Sequence, residues 1–217
     1  MPGAFKAVIF DMDGVLTDSE PLICQAAIAM FRELGCSARP EDFLPFVGAG
    51  ENRYLGGVAE KHGIRVDLME AKRRTYEIYL TLVPEHLHAF PGAVELVRAC
   101  KGRGLRIAIA SSADRIKVEA NLNKIGLPAS FWDAVVTAEC VELRKPHPDL
   151  FLAAAKQMGV VPAECVVLED APNGIRAARA AGMRCVAVAQ TFDASLLREA
   201  DVVLPSIAAV DPASLGV

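Results

Sequence analysis

The chain has 217 residues, 53% of them hydrophobic, and 23 Lys and Arg against 27 Asp and Glu give a net charge of −4. This length and apolar content suffice for one large domain or a domain carrying an inserted smaller one, and they exclude a disordered chain. The slight acidity leaves no broad electropositive field, so neither nucleic acid nor an anionic membrane is an expected partner, and any phosphate site must be basic locally. Six scattered cysteines, without a Cys-x-x-Cys pair or zinc-type Cys/His spacing, read as free thiols of a reducing compartment. No stretch approaches the roughly 20 apolar residues of a membrane helix, and Met1-Pro2-Gly3-Ala4-Phe5-Lys6 lacks the layout of a signal peptide. A strand-like run so near the start suggests a segment of a larger multidomain chain.

In chain order, Ala7–Phe10 is the first short apolar run bounded by turn residues. From Glu20 to His88 the pattern becomes helical without a convincing strand: Pro21–Leu34, Glu51–His62 and Leu68–Leu82, broken by Arg39-Pro40 and by Phe46-Val47-Gly48-Ala49-Gly50. Strand-like runs then return at Leu105–Ala110, Ala134–Thr137, Cys165–Leu168 and Cys185–Ala189. They alternate with helical stretches at Pro91–Lys101, Arg115–Ile125, Asp149–Met158 and Asn173–Ala181, each followed by a glycine stop. Strand-helix alternation of this kind predicts an α/β, doubly wound parallel sheet, with residues 1–19 and 90–217 as a Rossmann-like core and 20–89 as an inserted α-helical cap. An insertion after the first strand lands at the carboxyl edge of the sheet, where ligands bind, so the cap should act as a lid hinged at Asp18–Pro21 and Pro84–Pro91.

The chemistry-bearing residues follow these strands. Asp11 and Asp13 come directly after Val8-Ile9-Phe10, with Gly14 permitting a tight turn. Two carboxylates so close repel unless a cation compensates, and a hard divalent ion such as Mg²⁺ takes oxygen ligands and bridges to phosphate. Other strands run into Ser111-Ser112, into Arg144-Lys145-Pro146-His147-Pro148-Asp149 and into Glu169-Asp170. In a parallel sheet these ends converge on one edge and bring together a nucleophile, an acid, a hydroxyl, a countercharge and metal ligands. Taken singly, each has a duller reading: Ser112 or Asp114 as a helix cap, Lys145 as a solvated charge, Glu169-Asp170 as a turn.

The ordered words Asp11-Met12-Asp13-Gly14-Val15-Leu16, Ser111, Lys145-Pro146 and Glu169-Asp170 resemble the four motifs of the haloacid dehalogenase superfamily across nearly the whole chain. Asp18-Ser19-Glu20-Pro21, Lys145 through Phe151 and Glu169 through Gly174 narrow the resemblance to the β-phosphoglucomutase and phosphoglycolate phosphatase-like branch. Asp42 through Phe46, Gly48 through Glu51, Leu55 through Ala59 and Ser111 through Val118 are similar to the stromal domain of a plant thylakoid protein, which would put the chain in the chloroplast stroma. The resemblance implies a Mg²⁺-dependent phosphatase acting on a small phosphorylated metabolite. In it Asp11 attacks phosphorus, Asp13 serves as acid and then base, Ser111 and the Ser112 amide hold the phosphoryl oxygens, and Lys145 offsets charge. The implied metal set is Asp11, the backbone carbonyl of Asp13, Asp170 and, directly or through water, Glu169.

The cap word departs from that branch. Where relatives carry a Gly-x-x-Arg word whose arginine grips a second phosphate, Gly48-Ala49-Gly50-Glu51 presents an acid. Arg53 would point about 200° away around a helix. Ile23 stands about where a mutase carries a histidine near its hinge. A sugar-phosphate mutase is therefore the weaker reading, alongside a regulatory module of a larger chloroplast protein; a dehalogenase is weaker still, because Asp13 and the acid pair serve phosphate chemistry. Glu51 has two readings, as an acceptor for a substrate hydroxyl and as a favourable charge in a first helical turn. Arg115 and Lys117 likewise are either binders of a polar substrate tail or a solvated helix face.

Overall fold

The computed structural model describes residues 5–48 and 50–215. Met1–Ala4 and Ala49, on which parts of the sequence reading fall, lie outside the described residues. β1 (Ala7–Phe10) leaves the sheet for a helical insertion of α1 (Glu20–Glu33), α2 (Pro40–Phe43), α3 (Glu51–Lys61) and α4 (Leu68–His86). The chain returns through α5 (Ala93–Gly102), β2 (Arg106–Ala110), α6 (Arg115–Lys124), β3 (Ala134–Val136), α7 (Asp149–Met158), β4 (Cys165–Glu169), α8 (Pro172–Ala180), β5 (Arg184–Val188) and β6 (Val202–Leu204).

The strands form one parallel sheet in the order β3-β2-β1-β4-β5-β6. β1 is central because all four of its residues are inaccessible to solvent, and their alternating side chains feed two separate apolar layers. Val8 and Phe10 pack under α5 and α6 with Trp132, whose ring meets Phe10 edge-on at 5.8 Å. Ala7 and Ile9 face the layer of α7 and α8. The insertion has its own core, in which Phe31, Phe43, Tyr54 and Tyr79 are buried among Leu22, Met30, Leu55 and Val58.

Four of the expected strands differ from the observed ones by a residue at one end or both, where the last pair of a parallel ladder frays. Two elements were not anticipated. β6 is a half-buried edge strand of three residues, too short to show periodicity. α2 is a single turn in which Pro40 occupies the first position; its missing N–H costs nothing there, so Arg39-Pro40 starts a helix rather than only breaking one. α4 also runs past Leu82 and through Pro84, whose carbonyl accepts a 2.6 Å hydrogen bond from Lys124 Nζ.

The two chain crossings between sheet and insertion lie side by side. Thr17 bridges Ala89, the Asp18 N–H donates to the His88 carbonyl at 3.1 Å, and the Phe90 N–H donates to the Leu16 carbonyl at 3.0 Å. Among the described residues no helix is long and apolar enough to cross a membrane.

Candidate active site

The carboxyl edge of the sheet gathers the residues the motifs singled out. Asp11 continues the β1 ladder, its N–H donating to the Leu168 carbonyl at 3.0 Å, so the carboxylate leaves the sheet beside the end of β4. The turn that follows doubles back through Gly14, at φ +80°, and through bonds from the Leu16 and Thr17 N–H groups to the Met12 carbonyl. Gln190, after β5, ties this turn down: its Nε2 donates to the Gly14 carbonyl at 2.8 Å and its Oε1 accepts from the Ile207 N–H at 2.7 Å.

Asp11, Asp13, Ser111, Ser112, Lys145, Glu169 and Asp170 line one open cleft. The Lys145 ammonium bonds both to Asp11 and, at 2.5 Å, to Glu169 Oε1. Burial alone would lower that ammonium, but the two carboxylates outweigh it and hold it above its ordinary value. The other Glu169 oxygen accepts from the N–H groups of Asp170 and Ala171 at 2.9 and 3.0 Å. With both oxygens so engaged, Glu169 serves to hold Lys145 and shape the loop, which favours the water-mediated version of its metal role over a direct one. Two glycines make room for these acids. A Cβ on Gly174 would fall 1.7 Å from Glu169 Oε1, and one on Gly14 would fall 2.0 Å from Asp170 Oδ2.

Burial pushes the Asp11 carboxyl up to about 7 against the pull of Lys145, with Glu169 and Asp13 adding to the rise. Burial raises Asp170 as well, helped by Glu169 and Asp11. Such a crowd of buried carboxylates around one lysine is short of positive charge. Among the described residues no group of three or more His, Cys, Asp or Glu side chains is arranged as a metal cage. Mg²⁺ does not require one: it keeps several waters and takes one or two carboxylates plus phosphate oxygens. The donor set of Asp11, Asp170 and the Asp13 carbonyl therefore fits Mg²⁺.

The Asp13 side chain is committed elsewhere. It accepts from the buried Ser19 hydroxyl and, at 2.9 Å, from Lys117 Nζ. Lys117 is only 3% exposed, lies 3.8 Å from Glu51 and is held above its ordinary value by Asp13 and Glu51 against the effect of burial. The structure thus brings Glu51 and Lys117 to the site and leaves Arg115 out. The Arg115 guanidinium pairs with Glu119 on the exposed face of α6 at 3.3 Å. Sequence reasoning left Lys117 open and did not single out Ser19 or Gln190. The available signal was the i, i+4 pair Lys117 and Asn121, which forms the buried stripe of α6 while Ile116 beside it is exposed. Arg53 caps the Phe46 ring at 4.9 Å and pairs with Glu60, away from the cavity.

A doubly wound sheet whose first strand delivers two acids to a lysine, a serine and a second acid pair, under a helical insertion, is the architecture of a phospho-group hydrolase. A model of the haloacid dehalogenase-like hydrolases matches residues 5–182, and the chain belongs to that family. It is 51% identical over 201 residues to the chloroplastic protein Suppressor of Quenching 1 of Arabidopsis thaliana, covering 91% of this chain but only 19% of that much longer protein. It is 34% identical over 203 residues to hexitol phosphatase B of Escherichia coli, covering 86% of this chain and 85% of the relative. CbbY from Rhodobacter sphaeroides, crystallised with xylulose-(1,5)bisphosphate, superposes with a TM-score of 0.90 at 28% identity, covering 98% of this chain and all of that one.

Proposed function

We propose that the chain is a Mg²⁺-dependent phosphatase that cleaves a small phosphorylated metabolite through an aspartyl-phosphate. The observation that carries this reading is the placement of Asp11, held by Lys145 at the end of the central strand, in the same cavity as Ser111, Ser112 and Asp170. The likeness to a named hexitol phosphatase over most of both chains supports it. Asp11 is the nucleophile that attacks phosphorus. Asp13, whose two oxygens accept from Ser19 and Lys117, is the acid–base group: it takes up a proton as one of these bonds is released, gives that proton to the leaving oxygen and later takes one from water. The Ser111 hydroxyl, which accepts from the Ala113 N–H at 3.1 Å, keeps its own proton free for a phosphoryl oxygen, and the Ser112 amide serves another. Lys145 stabilises the charge shared by Asp11 and the phosphoryl group. Mg²⁺ held by Asp11, Asp170 and the Asp13 carbonyl would neutralise charge on the transferring group.

The experiment is turnover of p-nitrophenyl phosphate with and without Mg²⁺. Asp11→Asn is expected to abolish it while the circular dichroism spectrum stays unchanged. Retained activity in that variant would remove Asp11 as nucleophile.

The likeness to one fifth of a chloroplastic plant protein further supports this chain as a domain of a longer chloroplast protein, its phosphatase site retained rather than reduced to a regulatory role. Immunodetection in fractionated chloroplasts tests the location. A signal absent from the stroma would overturn it.

A further inference from the structure

Gly14 is caught between two demands. It must lack a side chain, because a Cβ there would fall 2.0 Å from Asp170 Oδ2 and 2.5 Å from Thr191 Oγ1. Yet glycine is the freest joint a chain can have, and this one joins the peptide that carries the Asp13 carbonyl to the rest of the turn. That peptide is planar, so its carbonyl points opposite its N–H, which donates to the Thr17 carbonyl at 3.0 Å. The next peptide is fixed from outside the turn. Gln190 Nε2 donates to the Gly14 carbonyl at 2.8 Å and to the Val15 carbonyl at 3.3 Å. With both flanking peptides bonded, Gly14 is held at φ +80° and the Asp13 carbonyl keeps one direction.

Gln190 works as a strut because its far end is fixed too. Its Oε1 accepts from the Ile207 N–H at 2.7 Å. The turn Ile207–Ala209 packs so closely on the residue before α5 that a Cβ on Gly92 would fall 2.9 Å from Ala208 Cα. The backbone just before Gln190 is tied to β6, the Ala189 N–H donating to the Leu204 carbonyl at 2.8 Å. The next residue reaches the acid pair: Thr191 lines the same cleft as Asp11 and Asp170, and its hydroxyl donates to the Asp170 carboxylate. Two consecutive side chains after β5 thus meet donors that come from two other strands, the Asp13 turn after β1 and Asp170 after β4.

We propose that Gln190 and Thr191 are positioning residues of the metal site, Gln190 for the Asp13 carbonyl and Thr191 for the Asp170 carboxylate. The proposal rests on the Mg²⁺ reading of Asp11, Asp170 and the Asp13 carbonyl given above. A Mg²⁺ site demands near-octahedral geometry at short ligand distances, so donors brought from separate strands must be set in place beforehand. Side chains behind the ligands do this, and losing one typically costs about 10- to 100-fold in metal affinity. A staple that only tidied the loop would behave otherwise: its removal would lower stability and leave metal affinity alone.

The test measures metal binding itself. Mn²⁺, which suits the same carboxylate and carbonyl ligands, is titrated into the metal-free protein and the free ion is read by electron paramagnetic resonance. Asp170→Asn identifies the part of the binding that belongs to this site. Gln190→Met keeps the length of the side chain and removes its amide; Thr191→Val keeps the shape and removes the hydroxyl. Each is expected to bind Mn²⁺ about tenfold more weakly. The low end of the range suits Thr191, which is exposed, so that water takes over part of its bond. Thr191→Ser restores the hydroxyl and is expected to bind within about twofold of wild type. Wild-type affinity in Gln190→Met or Thr191→Val, with or without a lower melting midpoint, would overturn the proposal, as would Thr191→Ser binding as weakly as Thr191→Val. If Gln190→Met does not fold, the Thr191 pair decides. A wild-type protein that binds no Mn²⁺, or whose binding survives Asp170→Asn, would instead overturn the Mg²⁺ reading itself, and this inference with it.

Discussion

Lys145 is useful only where Glu169 holds it, and Glu169 fits only because residue 174 has no side chain. Gly174 is in the first turn of α8, where alanine would ordinarily stabilise a helix. Here its Cβ would occupy the position of the Glu169 carboxylate, so Glu169 and the lysine it holds must move. Displacements near 1 Å at a reacting centre cost about 10²-fold in rate. Gly174→Ala is accordingly expected to keep its thermal midpoint within a few degrees while kcat on p-nitrophenyl phosphate falls roughly 10²-fold. Wild-type kcat in this variant would show that the position of Lys145 does not matter. The word Glu169-Asp170-Ala171-Pro172-Asn173-Gly174 was legible as a motif, but the reason for its last letter appears only when the helix is folded back over the acid. Lys117 shows the opposite difficulty. Its charge beside the apolar Ile116 argues for an exposed position, and only carboxylates from distant parts of the chain, Asp13 first and then Glu51 and Glu20, make its burial tolerable.

At the scale of elements, the insertion meets the sheet domain chiefly through α4 and α6, and their contact is polar. Lys72 pairs with Asp114 at 2.5 Å, the Tyr76 hydroxyl accepts from the Asp114 N–H at 3.3 Å, and the Tyr79 hydroxyl donates to Asn121 Oδ1 at 2.7 Å. Tyr79 and Asn121 are both fully buried, so removing the hydroxyl leaves an amide oxygen without its donor. Tyr79→Phe should cost about 1–2 kcal/mol, which lowers the melting midpoint by roughly 2–8 °C in a chain of this size. It should also raise KM more than it lowers kcat, because α4 and α6 hold the insertion, with Glu51, against the cleft that Asp13 and Lys117 line. Differential scanning fluorimetry and steady-state kinetics check both. An unchanged midpoint would mean that water replaces the bond. The helix-period patterns of α1, α3 and α4 were readable beforehand because each buries one apolar stripe. The docking of α4 on α6 was not, because it uses tyrosines and an asparagine that periodicity counts as surface.

For the molecule as a whole, the site's carboxyls set a sign for stability against pH. Burial raises Glu20 from its ordinary 4.5 to about 7 and Asp11 from 3.8 to about 7. Between about pH 4 and 7 the folded protein therefore holds more protons than the unfolded chain. Stability from these groups is fully present below about pH 4 and is lost as pH rises to about 7. Asp42, whose carboxyl is held well below its usual range by Lys61 and by the Arg39 N–H, titrates beneath this window, and Lys117 and Lys145 titrate above it. The metal-free protein is expected to melt at progressively lower temperature from pH 4 to 7. Mg²⁺ held by Asp11 and Asp170 as proposed would favour their ionised forms, so the rise in midpoint on adding it should be larger at pH 7 than at pH 5. Equal rises at the two values would show that these carboxyls are not its ligands.

The sequence by itself determined the parallel α/β core, the helical insertion after the first strand and the gathering of Asp11, Ser111, Lys145 and Asp170, because strand periodicity and motif position follow from local chain geometry. It also singled out Glu51, the acid that closes the word Gly48-Ala49-Gly50-Glu51. Only the tertiary structure decided that Glu51 shares its charge with Lys117, that Asp13 is held by Ser19, and that Arg115 faces away. Those outcomes depend on which side of α6 meets the insertion. That side is chosen by pairing charges and hydroxyls between elements far apart in the chain, which no local pattern records.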